Sequence, residues 1–403
     1  MHQTQDSAVT VFNSLSWERR EWLQVEDTWH HITVPSMGYA VIDPTEVAQP
    51  RTKLIASPEL LENDRLRIQF TPDGAISSIF DKEHRREVLS PSTLANRLAL
   101  YHDEGDAWDF PIHYDERPPH YFKLVEATAR IDGPQVAVEQ QYHFGQSTLR
   151  QQIVLLEGSR RIDFVTSIDW REQNKMLRTS FPVAIAASEA TCDIQFGSIK
   201  RPTHRNTSWD MARYEICAHK WVDLSQSDYG VALLNDSKYG HKILENVLDL
   251  NLLRSPGYPD PQADRAYHEF TYALYPHAGN HIIGKVIQAG YELNVPLRVL
   301  AGKPNSDVIV PGAAFAQVDA ENVIIETIKK AEESDDIILR LYEATGATIR
   351  TTLTLSANLG AAWKTNLLEE LEEKLPTGQS TVELLLQPFE ILTLRVQIAI
   401  PHS

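Results

Sequence analysis

The sequence predicts a mainly β protein built from antiparallel sheets. Apolar residues recur with a period of two, as in residues 66–70, where Leu66, Ile68 and Phe70 alternate with polar side chains. Turn residues such as Asp-Gly separate these runs, and four runs follow one another within about 50 residues. Connections this short favour antiparallel strands, because parallel strands need a longer crossover.

The strand candidates follow one another along the chain. Residues 9–12 form a short apolar run, and Asp73-Gly74 predicts a tight hairpin turn between residues 66–70 and 76–79. Four runs predict a meander: 122–131, 135–144, 149–156 and 161–170. Further candidates are residues 177–185, 192–196, 212–218, 230–234, 247–253 and 267–275.

One segment has the period of a helix instead. Its apolar residues are Ile282, Ile283, Val286, Ile287 and Leu293, and they predict a helix over residues 278–293. His277 and His281 are four residues apart, a spacing that could place two metal ligands on one helix face. No third ligand occurs at a diagnostic spacing, so a surface or capping role is the favoured alternative.

Two breaks in composition predict three parts of the chain. Residues 43–58 contain three prolines and few large apolar side chains, and residues 301–311 contain a second cluster of Gly and Pro. We therefore predict an N-terminal β segment with a linker over 1–56, a β domain over 57–300 and a C-terminal β-sandwich over 301–403, where five more strand-like runs occur.

Composition excludes several classes of partner. The 403 residues include 38 Lys and Arg against 55 Asp and Glu, a net charge of −17 that repels nucleic acid. No apolar run approaches the roughly 18 residues of a membrane helix, and the polar N-terminus lacks the apolar region of a secretory signal. Cys192 and Cys217 are too few for a disulfide framework. We expect a cytoplasmic protein with no membrane partner.

Residues 103–109 are a first candidate site. Motifs of nucleotide-binding proteins, serine hydrolases and zinc proteases are missing from the sequence. In residues 103–109, however, four acids surround Trp108. Carboxylates beside an aromatic ring suit carbohydrate binding, and paired carboxylates also serve glycoside hydrolysis. A calcium loop, whose spacing does not match an EF-hand, and a solvated loop are the alternatives.

Two more polar segments are candidates for binding. Residues 201–210 concentrate hydrogen-bonding groups around one Trp, and residues 235–240 combine an acid, a Lys and a Tyr after an apolar run. Each is either a binding loop held by rigid strands or an ordinary connection between them. The candidate residues are His204, Trp209, Asp210, Asp236, Lys238 and Tyr239.

Short motifs in a fixed order cover nearly the whole chain. They include Val11-Phe-Asn-Ser-Leu-Ser-Trp17, Ala107-Trp-Asp109, Arg201-Pro-Thr-His204, Asn206-Thr-Ser-Trp-Asp210 and Leu252-Leu-Arg-Ser-Pro256. Together they resemble the C-terminal half of the class II α-mannosidases, glycoside hydrolase family 38, and above all its cytosolic and bacterial branch. The resemblance implies a galactose-mutarotase-like supersandwich of antiparallel sheets over residues 57–300, followed by a smaller C-terminal β-sandwich.

The resemblance also implies a modular enzyme that hydrolyses α-mannosides with retention of configuration. In such enzymes an N-terminal α/β barrel carries an Asp nucleophile, an acid/base Asp and the His and Asp ligands of a divalent metal. Here the β half begins at Val11, so we expect the barrel to be absent and assign no catalytic residue, metal or cofactor to this chain.

In the enzymes that the chain resembles, the β half packs on the barrel and contributes to the rim of the sugar pocket. By position, Arg254 and the turn with Asp236, Lys238 and Tyr239 are the first candidates for substrate binding. The next are Trp108, Asp109, His204, Trp209 and Asp210. Arg254 either donates hydrogen bonds to sugar hydroxyls or pairs with an acid of its own domain, and both alternatives stay open.

Three functions are therefore considered. The first is the C-terminal β region of an α-mannosidase, inactive alone, whose partners are a mannoside and a catalytic barrel in the same or a separate chain. The second is a stand-alone carbohydrate-binding module. The third is a mutarotase-type sugar epimerase, which needs an acid and a base facing one cleft, and no spacing in the sequence indicates such a pair.

Overall fold

Antiparallel β-strands dominate the computed structural model, which describes residues 8–302 and 312–399. The described residues form two compact units. The first contains residues 8–48, 195–198, 295–302 and 312–399, and the second contains residues 49–194 and 199–294. The mainly β fold class is thus confirmed. No helix in the described ranges is long and apolar enough to cross a bilayer.

The chain begins with four strands of the first unit. They are β1 (Val9–Asn13), β2 (Arg19–Val25), β3 (Thr28–Val34) and β4 (Gly38–Ile42). β2 and β3 form a hairpin, and β1 pairs with β4. Val11 and Val34 are fully buried between these strands, which explains the apolar run at residues 9–12.

The second unit begins with a five-stranded sheet. Its strands are β5 (Ile55–Ser57), β6 (Leu60–Glu62), β7 (Leu66–Phe70), β8 (Ile76–Asp81) and β9 (Arg86–Glu87), in chain order. The predicted hairpin is confirmed, because β7 and β8 pair antiparallel. Gly74 in the turn has a φ of 86°, and a Cβ there would lie 2.3 Å from Tyr142 Oη, so the turn needs glycine.

The next strands build two larger sheets. They are β10 (Ala99–His102), β11 (His120–Tyr121), β12 (Lys123–Asp132), β13 (Gln135–Phe144), β14 (Ser147–Leu156), β15 (Ile162–Asp169), β16 (Lys175–Pro182), β17 (Glu189–Ile194), β18 (Gly197–Pro202), β19 (Ile216–Cys217), β20 (Trp221–Ser225), β21 (Tyr229–Asn235), β22 (Gly240–Leu244), β23 (Val247–Arg254) and β24 (Tyr267–Ala278). One sheet has the order β12-β13-β14-β15-β24-β21-β20-β17-β18, and the other has the order β11-β10-β16-β23-β22-β19.

The predicted meander is confirmed, because β12 to β15 pair consecutively and antiparallel. Apolar faces of the sheets form one core around buried aromatic side chains such as Phe164, Phe181 and Tyr272. Phe164 and Tyr272 stack with their ring centroids 4.9 Å apart. This core fixes the strands that carry the polar loops considered below.

The helix prediction is wrong in its first half. β24 continues to Ala278, and helix α2 spans only Val286–Asn294. Gly279 and Lys285 have positive φ values of 62° and 54°, which a helix cannot include. Between them, the side chain of Asn280 accepts hydrogen bonds from two backbone N–H groups and holds a non-helical turn.

The strand predicted over residues 212–218 is also largely wrong. Helix α1 (Ser208–Ala212) occupies the preceding loop, and only the two residues of β19 are extended. Thr207 and Asp210 form a reciprocal capping box, in which each side chain accepts a hydrogen bond from the other residue's N–H. The spacing Thr-x-x-Asp is the sequence signal that predicts this helix start.

The chain ends in the sandwich strands of the first unit. They are β25 (Arg298–Ala301), β26 (Ala316–Val318), β27 (Val323–Lys330), β28 (Ile337–Glu343), β29 (Ile349–Leu355), β30 (Leu359–Thr365), β31 (Leu371–Leu375), β32 (Thr381–Leu386) and β33 (Ile391–Ile398). Sheets β26-β29-β32 and β27-β28-β33-β30-β31 share one apolar core, and β25 pairs with β1. The predicted break over 301–311 lies almost wholly outside the described residues, and the three-part division stays a prediction.

Candidate functional site

Arg254 holds the acidic loop, which we define as residues 103–109. Arg254 is the last residue of β23, and its Nε and Nη2 donate to Asp103 Oδ2 and Oδ1 over 2.9 and 3.1 Å. Asp103 is fully buried. The pair is therefore a bidentate ion pair shielded from water, and loss of either partner would leave the other charge buried and uncompensated. Of the two alternatives for Arg254, the structure shows pairing with an acid of its own unit.

The same guanidinium also closes the loop. Nη2 donates to the carbonyl oxygens of Asp106 and Asp109 over 3.0 and 3.2 Å, and the guanidinium carbon lies 4.5 Å from the centre of the Phe110 ring. Asp106 Oδ1 in turn accepts from the backbone N–H groups of Trp108 and Asp109. Arg254 and Asp106 thus fix the backbone of the acidic loop from two sides.

The fixed loop presents an aromatic pair. The side chain of Trp108 is 73% exposed and that of Tyr258 is 64% exposed, and their ring centroids lie 6.1 Å apart. The N–H of Ala107 donates to the Tyr258 carbonyl over 3.0 Å, which ties the two segments together. Large exposed rings on a rigid loop are typical of a binding surface.

Tyr214 connects the acidic loop to the second polar segment. Its hydroxyl lies 3.1 Å from Asp109 Oδ1 and 2.5 Å from the carbonyl oxygen of Phe110. Burial and the hydrogen bond to Asp109 raise the pKa of Tyr214 to about 12, so the phenol stays protonated and able to donate. Sequence reasoning missed Tyr214 and Tyr258, since nothing local distinguishes them from other tyrosines.

The segment with His204, Trp209 and Asp210 surrounds helix α1. Trp209 is 75% exposed, and His204 Nδ1 lies 3.6 Å from Asp210 Oδ2. The Asp210 carboxylate is engaged with the N–H and hydroxyl of Thr207 at the helix start. Asp210 is therefore a structural acid first, while His204 and Trp209 are available to a ligand.

A cavity of about 230 Å³ opens beside this segment. Among its lining residues are Lys200, Arg201, His204, Arg205, Asp210 and Arg213. Tyr214 also lines it, so the cavity shares this residue with the acidic loop. The structure thus brings Arg254, Trp108 and Asp109 together and links them through Tyr214 to His204 and Asp210.

The turn with Asp236, Lys238 and Tyr239 is anchored elsewhere. Asp236 exchanges hydrogen bonds with the backbone of Thr271 on β24, over 2.8 Å through its carboxylate and 3.1 Å through its N–H. Lys238 Nζ lies 4.5 Å over the Phe270 ring, and burial lowers the pKa of this ammonium group. These contacts identify Asp236 and Lys238 as supports of the turn.

Tyr239 is the exposed member of that turn. Its carbonyl oxygen accepts from the N–H of Ala218 over 3.1 Å, and its ring lies 5.3 Å from that of His219. Gly240 pairs with Cys217 next to Ile216, another residue that lines the cavity. Of the three candidates in this turn, Tyr239 has the side chain that is free to face a ligand.

His277 and His281 do not form the predicted surface pair. His277 is buried at the end of β24, with its Nε2 2.8 Å from Asp223 Oδ1, and His281 stacks on Trp221 with ring centroids 5.6 Å apart. The surface assignment of His277 is wrong because the strand, not a helix, continues through it. Residues 8–302 and 312–399 contain no group of three or more His, Cys, Asp or Glu side chains placed to hold a metal ion.

A buried ionic cluster lies next to the acidic loop. Arg178 pairs with Asp249 over 2.5 Å and with Glu215 over 3.1 Å, and the Tyr114 hydroxyl donates to Glu215 over 3.0 Å. Burial raises the pKa of both carboxyls, and the shared guanidinium of Arg178 opposes this shift without cancelling it. The Tyr114 ring packs edge-on against Phe110, which connects the cluster to the loop held by Arg254.

Comparison with known proteins gives consistent matches. Residues 61–262 match the glycosyl hydrolases family 38 C-terminal domain, and residues 322–394 match the glycosyl hydrolases family 38 C-terminal beta sandwich domain. Human Alpha-mannosidase 2C1 is 36% identical over an alignment of 421 positions, which covers 97% of this chain and 40% of that protein. Alpha-mannosidase G of Dictyostelium discoideum is 37% identical over 358 residues, which cover 83% of this chain and 32% of that protein.

A solved structure matches in fold. The crystal structure of an alpha-mannosidase from Enterococcus faecalis V583 aligns with a TM-score of 0.74 at 15% identity, over 98% of this chain and 51% of that chain. The chain spans 40% of the length of human Alpha-mannosidase 2C1, and the mouse protein gives the same share.

Proposed function

The chain belongs to glycosyl hydrolase family 38, and we propose that it is the C-terminal β region of an α-mannosidase acting on α-D-mannosides. The observation that carries the proposal is the pair of family matches, which follow one another in the order of a C-terminal half. Similarity to Alpha-mannosidase 2C1 over 97% of the chain supports it. The proposed partner is a catalytic barrel, in the same polypeptide or in a separate one.

In this proposal the acidic loop forms part of the rim of the sugar pocket. Trp108 and Tyr258 offer exposed rings on which the apolar face of a pyranose packs, and the free edge of the Asp109 carboxylate accepts from sugar hydroxyls. Arg254 is a positioning residue, because four of its hydrogen bonds hold the loop. Of the three guanidinium nitrogens of Arg254, Nη1 is the one that has no acceptor among the described residues.

The other candidates take secondary places. His204 and Trp209 are proposed to meet the sugar from the side of helix α1, and Tyr239 from the turn after β21. Asp210, Asp236 and Lys238 are proposed to act indirectly, through the helix start and the turn that they stabilise.

We assign the bond-breaking chemistry to the remainder of the enzyme. Retaining hydrolysis needs two carboxyl groups about 5–5.5 Å apart, one as nucleophile and one as acid and base. The described residues contain no group of ligands that fits the divalent metal implied by the family. We therefore propose no catalytic step for the residues of this chain. The chain alone is therefore proposed to be inactive.

A cytoplasmic location is part of the proposal. Both cysteines are free: Cys192 is buried and Cys217 is exposed. An exposed free thiol suits a reducing compartment, because oxidising compartments favour disulfides.

The proposal is tested by two measurements on the chain. Incubation with an aryl α-mannoside, with and without divalent metal, is expected to release no product, and turnover by the chain alone would overturn the assignment of chemistry to the barrel. Titration with methyl α-D-mannoside is expected to change tryptophan emission with millimolar affinity in the wild type and in W363A, and not in W108A. Absence of the signal in the wild type, or its persistence in W108A, would remove Trp108 from the rim.

A further inference from the structure

The cavity beside helix α1 has a charge opposite to that of the protein. The chain has 55 acidic and 38 basic residues. The cavity, in contrast, is lined by four permanent cations, Lys200, Arg201, Arg205 and Arg213, and by a single acid, Asp210. Basic side chains gathered in a concave site on an acidic protein focus a positive field on one place.

Among the described residues, acids neutralise only part of this positive charge. Asp210 Oδ2 already accepts from Thr207 and lies near His204. Lys200 has an exposed partner, Glu189, at 3.3 Å. Arg205 and Arg213 have no side-chain partner in the described parts of the chain.

Arg201 has an unsatisfied donor. Its Nη2 makes a long bond of 3.3 Å to the Cys217 carbonyl, its Nε makes no hydrogen bond among the described residues, and the guanidinium lies near the buried thiol of Cys192. No acid pairs with Arg201 in the described parts of the chain, so its charge and its remaining N–H donors are available to an anion.

The walls of the cavity strengthen the interaction with a charge. Ile199, Ile216 and Ile243 contribute apolar surface around the basic side chains. Apolar walls lower the local dielectric constant, so that each charge interacts more strongly with a ligand than it would in open solvent. Lys200 and Arg201 lie on strand β18, which its sheet fixes, whereas Arg205 and Arg213 lie in the connection to β19, where the capping box of α1 orders the backbone.

We infer that this cavity binds a small oxyanion, either phosphate itself or the phosphate group of a sugar phosphate. Guanidinium groups donate two parallel hydrogen bonds to phosphate oxygens, and three arginines line the cavity. The volume of about 230 Å³ lies below the roughly 300–1,000 Å³ of drug-sized pockets, which suits a small ligand. This site does not depend on the proposed α-mannosidase function.

The inference is tested by calorimetric titration of the 403-residue chain. The ligands are inorganic phosphate, mannose 6-phosphate and, as the neutral control, mannose. The test variant is R205Q/R213Q, and the matched control is R51Q/R130Q, which removes the same charge from two exposed positions of the same unit. The unfolding midpoints of both variants are measured first, to establish that each variant is folded under the conditions of the titration.

Phosphate is expected to bind the wild type and R51Q/R130Q equally and R205Q/R213Q at least tenfold more weakly, with affinity falling as salt rises. Binding of mannose 6-phosphate but not of inorganic phosphate would identify the sugar phosphate as the ligand, and equal binding of the two would identify the free ion. Three results would overturn the inference: no binding of either phosphate by the wild type, equal losses in the two variants, or binding of mannose with the same affinity.

Discussion

Replacement of Arg178 by Met tests the buried ionic cluster. Arg178 is 1% exposed and pairs with two carboxylates, Glu215 and Asp249, whose side chains are each 15% exposed. Removing one partner of a buried ion pair costs about 3–5 kcal/mol, because the remaining charge stays desolvated and unpaired. Here two charges are left, so we expect the upper part of that range. For a unit of this size, the loss corresponds to a fall in midpoint temperature of about 6–20 °C.

The loss is expected to depend on pH in a defined direction. Burial holds the pKa of Glu215 and Asp249 above their ordinary values, so the folded state favours the neutral carboxyls. This contribution to stability is fully present below about pH 4, the ordinary range of these groups, and is lost as the pH rises through the raised values. Arg178 opposes this rise in the wild type, so its removal raises both pKa values further. Relative to the wild type, R178M should therefore lose most stability at high pH, where the carboxyls ionise, and the added substitutions E215Q and D249N should restore most of the loss.

The assay is urea unfolding followed by tryptophan fluorescence at pH 5 and pH 8. The control is R117K, a conservative change of an exposed arginine, which should unfold like the wild type at both pH values. An R178M protein within about 1 kcal/mol of the wild type at pH 8, or one that gains stability as the pH rises, would refute the account of the cluster.

Two further substitutions test the loops. R254K leaves one ammonium group where four hydrogen bonds held the acidic loop, so unfolding should cost about 1.5–3 kcal/mol less and proteolysis at that loop should accelerate. The control R51K, at an exposed position away from the loop, should change neither, and an unaltered cleavage rate in R254K would contradict the positioning role. G74A should lower the urea midpoint more than G158A, because both residues have positive φ but only at Gly74 would a Cβ strike Tyr142; equal midpoints would argue against that close approach.

The sheets could be predicted because their signal is local. β13 and β14 each bury one face, and that burial imposes the period of two that the sequence displays. The segment over 278–293 was different, since its apolar spacing suits a helix while the positive φ at Gly279 and Lys285 breaks it. Only the end of β24, a tertiary feature, decides where the strand stops and α2 begins.

The site could be predicted only as separate segments. Arg254 and Asp103 are 151 residues apart, and a pairing over that distance leaves no periodic trace in a single sequence. The acids of residues 103–109 suggested sugar binding, yet Asp103 and Asp106 hold the loop, and Asp109 alone offers an oxygen toward Tyr214. Composition shows which residue types are present, but it does not show which of them stabilise a loop and which contact a ligand.

The polar segments contain two kinds of residue, those that stabilise a loop and those that are exposed to a ligand. Both carboxylate oxygens of the buried Asp103 accept hydrogen bonds within the chain. If Asp103 accepted from a sugar hydroxyl instead, Arg254 would lose its counter-charge. The free energy lost would exceed the free energy gained from one hydrogen bond to the sugar. Exposed rings carry no such cost, because Trp108 and Tyr258 lose only water when a ligand packs on them. The binding roles that we propose for this chain therefore fall to its exposed aromatic side chains and to the cations of the cavity, while the buried pair of Arg254 and Asp103 holds the acidic loop in place.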